Sequence, residues 1–246
     1  MNFRSLVVVG ALAGLCAACG AEEKPYSPKP AYSGEKPTLP QVPTLPNKAK
    51  KEGDAYTVWG AIHDLRSVVH SKDFDGKQTP IVGYVVKTNW DKACKDEFKP
   101  EPDEDCVPTC AVHKTGEADP PECEAPVPTF WIAEEKGETD TERHAIPVMG
   151  FASNFAQMYT LIEGLDKDDE ATLSDEFLGH DLPTPLPAVG GKVKVTGSYG
   201  FTANPGSGGT ASNPRTGILQ WRKQEWIEPP PKRAVLPGMK IRNTDN

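Results

Sequence analysis

The chain of 246 residues carries 27 Lys and Arg against 35 Asp and Glu, a formal net charge of -8. That balance argues against nucleic acid as a partner, because association with a polyanion needs clustered Lys and Arg to neutralise phosphates, and no basic run is longer than Lys50-Lys51. With 25 Pro and 22 Gly, the composition predicts long irregular segments around one modest core and not two full domains.

Residues 1–20, MNFRSLVVVGALAGLCAACG, read as an export signal. Arg4 supplies the positive n-region, residues 6–15 the apolar h-region, and Ala17 and Ala18 the small residues a signal peptidase needs before its cut. The apolar run is shorter than the roughly 20 residues that span a bilayer. With Cys19 directly after Ala17-Ala18, the stretch resembles a lipobox, the processing site of bacterial lipoproteins. The resemblance implies that residues 1–18 are removed and that Cys19 becomes the acylated first residue. It further implies a cell-envelope address, at the periplasmic or surface face of the outer membrane, with the membrane itself as one partner through the lipid anchor. An ordinary secretory signal with two incidental cysteines is the alternative. Residues 1–18 hold a single charge, Arg4, so their removal moves the net charge from -8 to -9.

Residues 19–54 repeat proline with almost no aliphatic clustering, and PTLP at 37–40 recurs at 43–46. Such a stretch buries too little apolar surface to fold and is expected to be a disordered tether, extended at about 3.1 Å per residue where polyproline II forms. Residues 229–246 have the same character and predict a flexible tail.

Between the tails the apolar pattern turns to strands. Residues 56–63 (YTVWGAIH) alternate loosely, and residues 64–70 could make one or two helical turns. The clearest strand is 80–89 (PIVGYVVKTN), β-branched and aromatic, with Gly83 expected at a bulge or tight bend. Residues 129–135 (TFWIAEE) and 146–151 (IPVMGF) follow as a candidate pair. The period then becomes helical through Phe155, Met158, Tyr159 and Ile162, with Asn154 and Gln157 as a capping-box variant. Residues 192–199 (KVKVTGSY) alternate strictly. Residues 217–228 (GILQWRKQEWIE) close the set, with Trp221 and Trp226 on opposite faces unless a bulge intervenes. Val85, Ile132, Val193 and Val195 sit centrally in these runs and are expected to be buried.

This order, with GYVV, FWIAEE, KVKVTG and the GILQW ending, resembles an OB-fold across residues 56–228. The resemblance implies a mainly β domain over 55–228, a small antiparallel barrel with a single helix between its third and fourth strands. An immunoglobulin-like sandwich is the competing class and needs more strands at regular spacing and no central helix.

Cys94, Cys106, Cys110 and Cys123 all fall in one acidic insertion, 91–124, spaced C-x11-C-x3-C-x12-C, where 11 Asp and Glu meet 4 Lys. The segment looks unable to order itself by burial. Two disulfides suit an oxidising compartment, while only Cys106 and Cys110 have the spacing of a zinc pair. Three pairings remain open. Neither EPDED at 101–105 nor DKDDE at 166–170 completes a calcium loop, so no metal and no cofactor is expected.

Catalytic signatures are absent: the five histidines are scattered, no serine lies in a G-x-S-x-G elbow, and 200–217 lacks the Gly-Lys-Ser/Thr ending of a phosphate loop. Trp90, Phe130, Trp131 and Trp221 could form a stacking platform, or else core. By the OB resemblance, the loops after strands 1 and 4 flank a binding face, and here these are the cysteine insertion and the glycine-rich segment. The expectation is an envelope-displayed binding module for a protein, glycan or small ligand, with Trp90, Trp131, Trp221 and His113 at its rim. An enzyme using loop histidines such as His113 is the alternative.

Overall fold

The computed structural model divides into two units, Met1–Leu45 and Pro46–Asn246, and describes residues 26–28, 48–204 and 209–239. The export signal, Cys19 and most of the proline-rich segment lie outside the described residues. In chain order the second unit contains β1 (Lys51–Glu52), β2 (Ala55–Thr57), α1 (Val58–Leu65), β3 (Gln78–Thr88), β4 (Thr129–Ala133), α2 (Thr141–His144) and β5 (Ala145–Met149). Then come α3 (Phe155–Leu165), β6 (Ser174–Asp175), β7 (His180–Asp181), β8 (Lys192–Gly200), β9 (Thr202–Ala203), β10 (Ala211–Ser212) and β11 (Ile218–Glu228).

The unit is mainly β. Its main sheet runs β1-β2-β3-β4-β5-β11-β8, and β3 also pairs with β8. The pairings β3-β4-β5-β11-β8-β3 therefore form a closed circuit. The sheet is mixed and not antiparallel throughout, because β2 pairs with β3 and β5 with β11 in parallel. Parallel neighbours need a crossover, and α1 supplies the one between β2 and β3.

That crossover corrects the strand expected at 56–63, and with it the expectation of a single helix. The Thr57 hydroxyl accepts from Gly60 N at 3.0 Å and caps α1. Val58, Ala61 and Leu65 are then buried, at the i, i+3 and i+7 positions of one helical face. β3 passes beneath this helix at Gly83, where a Cβ would meet Val58 Cγ2 at 2.8 Å and the Ala133 carbonyl at 2.9 Å. The glycine is there for close approach, with the bulge falling further on, between Val85 and Lys87.

The helix expected from the 155–162 pattern is α3. Asn154 Oδ1 accepts from Gln157 N at 2.9 Å, and Phe155, Met158, Leu161 and Ile162 turn into the core beside Phe130, Ile146 and Phe151. Complete burial of side chains such as Phe155 and Met158 stabilises by about 1.5–3 kcal/mol each. Val85, Ile132, Val193 and Val195 are 1% exposed or less. A register shift between Trp221 and Lys223 brings Trp221 and Trp226 to one side of β11, opposite Gly197 and Val193, and both rings meet the core.

The expected tether and tail are shorter than their compositions suggest. Lys51 and Glu52 pair with β2, and Lys50 Nζ donates to Asp64 at 2.7 Å. At the other end Leu236 is 1% exposed and belongs to the core with Ala234. A few apolar residues spaced among prolines suffice to dock a segment that has no periodicity of its own.

The cysteine insertion also contributes to the core, through Val107 and Ala111, beside Trp90 just before it. Two disulfides, Cys94–Cys106 and Cys110–Cys123, fix it. Asn89 clamps its base: Asn89 N donates to the Thr129 carbonyl, and Thr129 N to Asn89 Oδ1, both at 3.0 Å. Thr115 N, further along, donates to Thr160 Oγ1 of α3 at 3.0 Å.

Candidate functional site

The cysteine insertion and the loop before β11 meet over the outer surface of β3 and β4. Between them lies an open cleft of about 840 Å³. Its floor is Lys87 of β3 and the half-buried Trp131 of β4, with Lys87 Nζ 4.8 Å from the Trp131 ring centroid. Asp105 comes from the insertion and forms an ion pair with Lys87. The Cys94–Cys106 bond holds this part of the insertion in place, together with Lys92 Nζ, which donates to Glu104 at 3.2 Å. The bond from Lys92 outweighs desolvation and holds the Glu104 carboxyl below its usual range.

The opposite wall is built by Asn213. Its Oδ1 accepts from Arg215 N at 3.0 Å and Thr216 N at 3.1 Å, an Asx turn that needs no partner element. Arg215 Nη1 then reaches Glu142 of α2 at 2.6 Å, joining the loop to the third wall. There Asp140 caps α2 through Arg143 N and pairs with Arg143 Nε at 3.2 Å. Thr139, Thr141 and Ser212 add hydroxyls to the lining. The cleft thus offers an indole, four carboxylates, an amide and three hydroxyls, with cations already paired to carboxylates.

Arg143 and Arg215 also line a second cleft, of about 820 Å³, on the other side of α2. Trp59, Ile62, His63 and Arg66 of α1 and its C-terminal turn form one wall, and His144 completes it. Trp59 and His63 lie 5.2 Å apart between ring centroids. His144 Nδ1 is 3.1 Å from Glu138 Oε2. The Asp140 backbone N–H, helped by that of Thr139 and by His144, outweighs desolvation and holds the Glu138 carboxyl below its usual range. No hydroxyl or thiol lines this cleft.

Comparison with known proteins finds no matching family model, no curated relative and no similar solved structure.

Of the four residues expected at the rim, the structure places only Trp131 in the first cleft. Trp90 is 1% exposed and packs against Phe151, 5.7 Å between centroids. The Trp221 and His180 rings are tilted to one another, 4.8 Å apart between centroids, and line a separate pocket of about 280 Å³. His113 sits inside the insertion, with Nε2 2.6 Å from Asp119 and Nδ1 2.8 Å from the Lys114 carbonyl, and lines neither cleft. Among the described residues no group of three or more His, Cys, Asp and Glu is placed to hold a metal ion. No described helix is long and apolar enough to cross a membrane. Sequence reasoning passed over Lys87, Arg143, Asn213 and Arg215. The Asn213-Pro-Arg-Thr216 turn was readable as an Asx motif, and Asp140-x-x-Arg143 as a cap with an i,i+3 pair.

Proposed function

We propose that the chain is an envelope lipoprotein, anchored through acylated Cys19, whose domain is an OB-type barrel that binds a glycan in the cleft over Trp131. For the barrel, the support is the strand circuit. Numbering only its five strands in chain order gives 1-2-3-5-4-1, with the third and fifth parallel and α3 between the third and fourth, as the OB-fold requires. For the anchor, the support is the sequence of residues 1–19 alone.

The single observation that carries the binding role is the convergence of two long loops on the Trp131 floor. Loops of this length in a compact domain are usually functional or disordered, and these are cross-linked, capped and hydrogen-bonded around a cleft. Among a protein, a glycan and a small ligand, the lining favours the glycan. An indole face packs on a sugar ring, while Asp103, Asp105, Asp140 and Glu142 suit a dense set of hydroxyl donors. The enzyme alternative invoked loop histidines such as His113, and His113 is hydrogen-bonded to Asp119 and lines neither cleft.

The test is binding of the full chain to oligosaccharide fragments from the producing cell's own envelope. Saturable binding lost in Trp131→Ala and retained in Trp221→Ala supports the reading. If no envelope oligosaccharide binds, or if binding survives Trp131→Ala, the glycan reading fails. Mass spectrometry of the mature N-terminal peptide tests the anchor separately, and an unmodified start elsewhere than Cys19 defeats it.

A further inference from the structure

We infer that the second cleft is a separate binding site for a small oxyanion carried on a flat apolar body, such as an aromatic phosphate. This inference does not rest on the glycan reading or on the lipid anchor. In a chain of net charge -8, the cleft gathers Arg66, Arg143 and Arg215 with His63 and His144, and no carboxylate is part of its lining. The three arginines come from three distant stretches, the end of α1, the end of α2 and the turn before β11, so their meeting is a product of the fold and not of a basic run.

The guanidinium donors are not exhausted by their neighbours. Arg143 uses Nε toward Asp140 and Arg215 uses Nη1 toward Glu142, one nitrogen each, while a guanidinium offers five N–H donors in a fixed fork. These two ion pairs therefore orient the arginines from the side of the first cleft and leave donors for an anion in the second. Arg66 is exposed and makes no ion pair among the described residues. Three carboxylates line an adjoining pocket that shares Trp59, Ile62, Arg143 and His144, and each is engaged: Glu138 with His144, Glu134 with Trp59 N at 3.0 Å and Glu135 with Lys48 at 3.7 Å, while Asp64 pairs with Lys50 and His63.

The apolar half of the ligand follows from the floor. Trp59 and Ile62 are half-buried, one helical turn apart from His63 and Arg66 on α1, and present an indole and an aliphatic surface beside the charges. An oxyanion alone would leave that surface wet. A ring bearing phosphate or carboxylate covers it and meets the guanidinium forks bidentately.

Phenyl phosphate is the probe, titrated into the full chain at low ionic strength and followed by calorimetry and tryptophan fluorescence. The expected result is saturable one-site binding, weakened about tenfold in Arg66→Ala, the scale of one charge-assisted hydrogen bond. Arg66→Glu should abolish it, and Trp59→Phe should remove most of the fluorescence change. Trp131→Ala should leave it intact, which separates this site from the glycan cleft. Because Arg66 is exposed, its variants should keep the parent's circular dichroism and melting curve. Absence of saturable binding up to about 10 mM, an affinity far weaker than any specific site requires, overturns the proposal. So does an affinity unchanged in Arg66→Glu. Inorganic phosphate binding as tightly as phenyl phosphate would overturn the aromatic half, and benzyl alcohol binding as tightly would overturn the anionic half.

Discussion

The Tyr199 hydroxyl donates to the Thr216 carbonyl at 2.5 Å, tying the end of β8 to the turn that presents Arg215. Both groups are buried, and burial pushes the phenol pKa well above its ordinary value. Tyr199→Phe removes the donor and leaves a buried carbonyl unpaired. The expected cost is about 1–3 kcal/mol, read as a lower urea midpoint with an unchanged slope. The loop before β11 should gain hydrogen exchange before the rest of the sheet does.

Gly217 follows that carbonyl with φ +73°, a conformation side chains rarely adopt, and a Cβ there would meet Leu65 Cδ2 at 2.5 Å and Tyr199 Cε2 at 2.9 Å. Strain and overpacking therefore act together in Gly217→Ala. A loss of about 1–3 kcal/mol is expected by chemical denaturation. If the variant is as stable as the parent, α1 does not pack against this turn as described.

The two disulfides close loops of nearly equal length, with sequence separations of 12 and 13. Their effect on the unfolded chain is accordingly the same, about 3 kcal/mol for loops of this size. They differ in setting. Cys106 and its neighbour Val107 are fully buried, whereas Cys110 and Cys123 are only partly so. Replacing Cys94 and Cys106 by Ser should destabilise the whole domain more than replacing Cys110 and Cys123, whose loss should loosen mainly residues 113–124. Equal melting temperatures for the two double variants would contradict this.

Burial opposes a charge on His113, but the Lys114 carbonyl, the Asp119 carboxylate and the Glu117 charge outweigh it and raise the imidazole pKa above its ordinary 6.5. A raised folded value means that protonated His113 favours the folded insertion. Its contribution is complete below the unfolded value, about 6.5, and is lost as pH rises through the higher folded value. Proteolysis around residues 113–119 should thus quicken from about pH 6 to pH 8. In His113→Gln that pH dependence should disappear.

Leu236 is expected to anchor the C-terminal segment. Leu236→Ala leaves a cavity in a site that is 1% exposed, at a cost of about 2–5 kcal/mol. Were residues 229–239 a free tail, the substitution would leave the unfolding curve where it is.

Strands and α3 were readable because their own side chains state their faces: Val193 and Val195 alternate, and Phe155, Met158 and Ile162 recur at helical spacing. The segment 56–63 supports two periods at once. Its alternation of aromatic and β-branched residues reads as strand, while Thr57 as cap with Val58, Ala61, Ile62 and Leu65 reads as helix, and the need for a parallel crossover decides. The cysteine pairing was open because all three pairings join the same four residues, and only the path of the backbone through Val107 and Ala111 selects one. Trp90 and Trp131 look alike in sequence. What separates them is that Trp90 follows the clamp at Asn89 and turns toward Phe151, while Trp131 lies on the outer surface of β4 under Lys87. The clefts were hidden for a related reason, since Arg66, Arg143 and Arg215 acquire a common address only when α1, α2 and the last turn are stacked.

The closed circuit of strands also governs how this molecule behaves in company. The circuit is closed between β5 and β11 by only two residue pairs, Val148 with Leu219 and Met149 with Gln220, so residues 221–228 of β11 pair with β8 alone, and the other end of the sheet, β1, is two exposed residues, Lys51 and Glu52. Both borders are charged, β1 by Lys51 and Glu52 and the unpaired stretch of β11 by Arg222, Lys223, Glu225 and Glu228, which discourages another polypeptide from adding a strand there. Copies crowded side by side are therefore kept from joining edge to edge by charge and not by the lack of an edge.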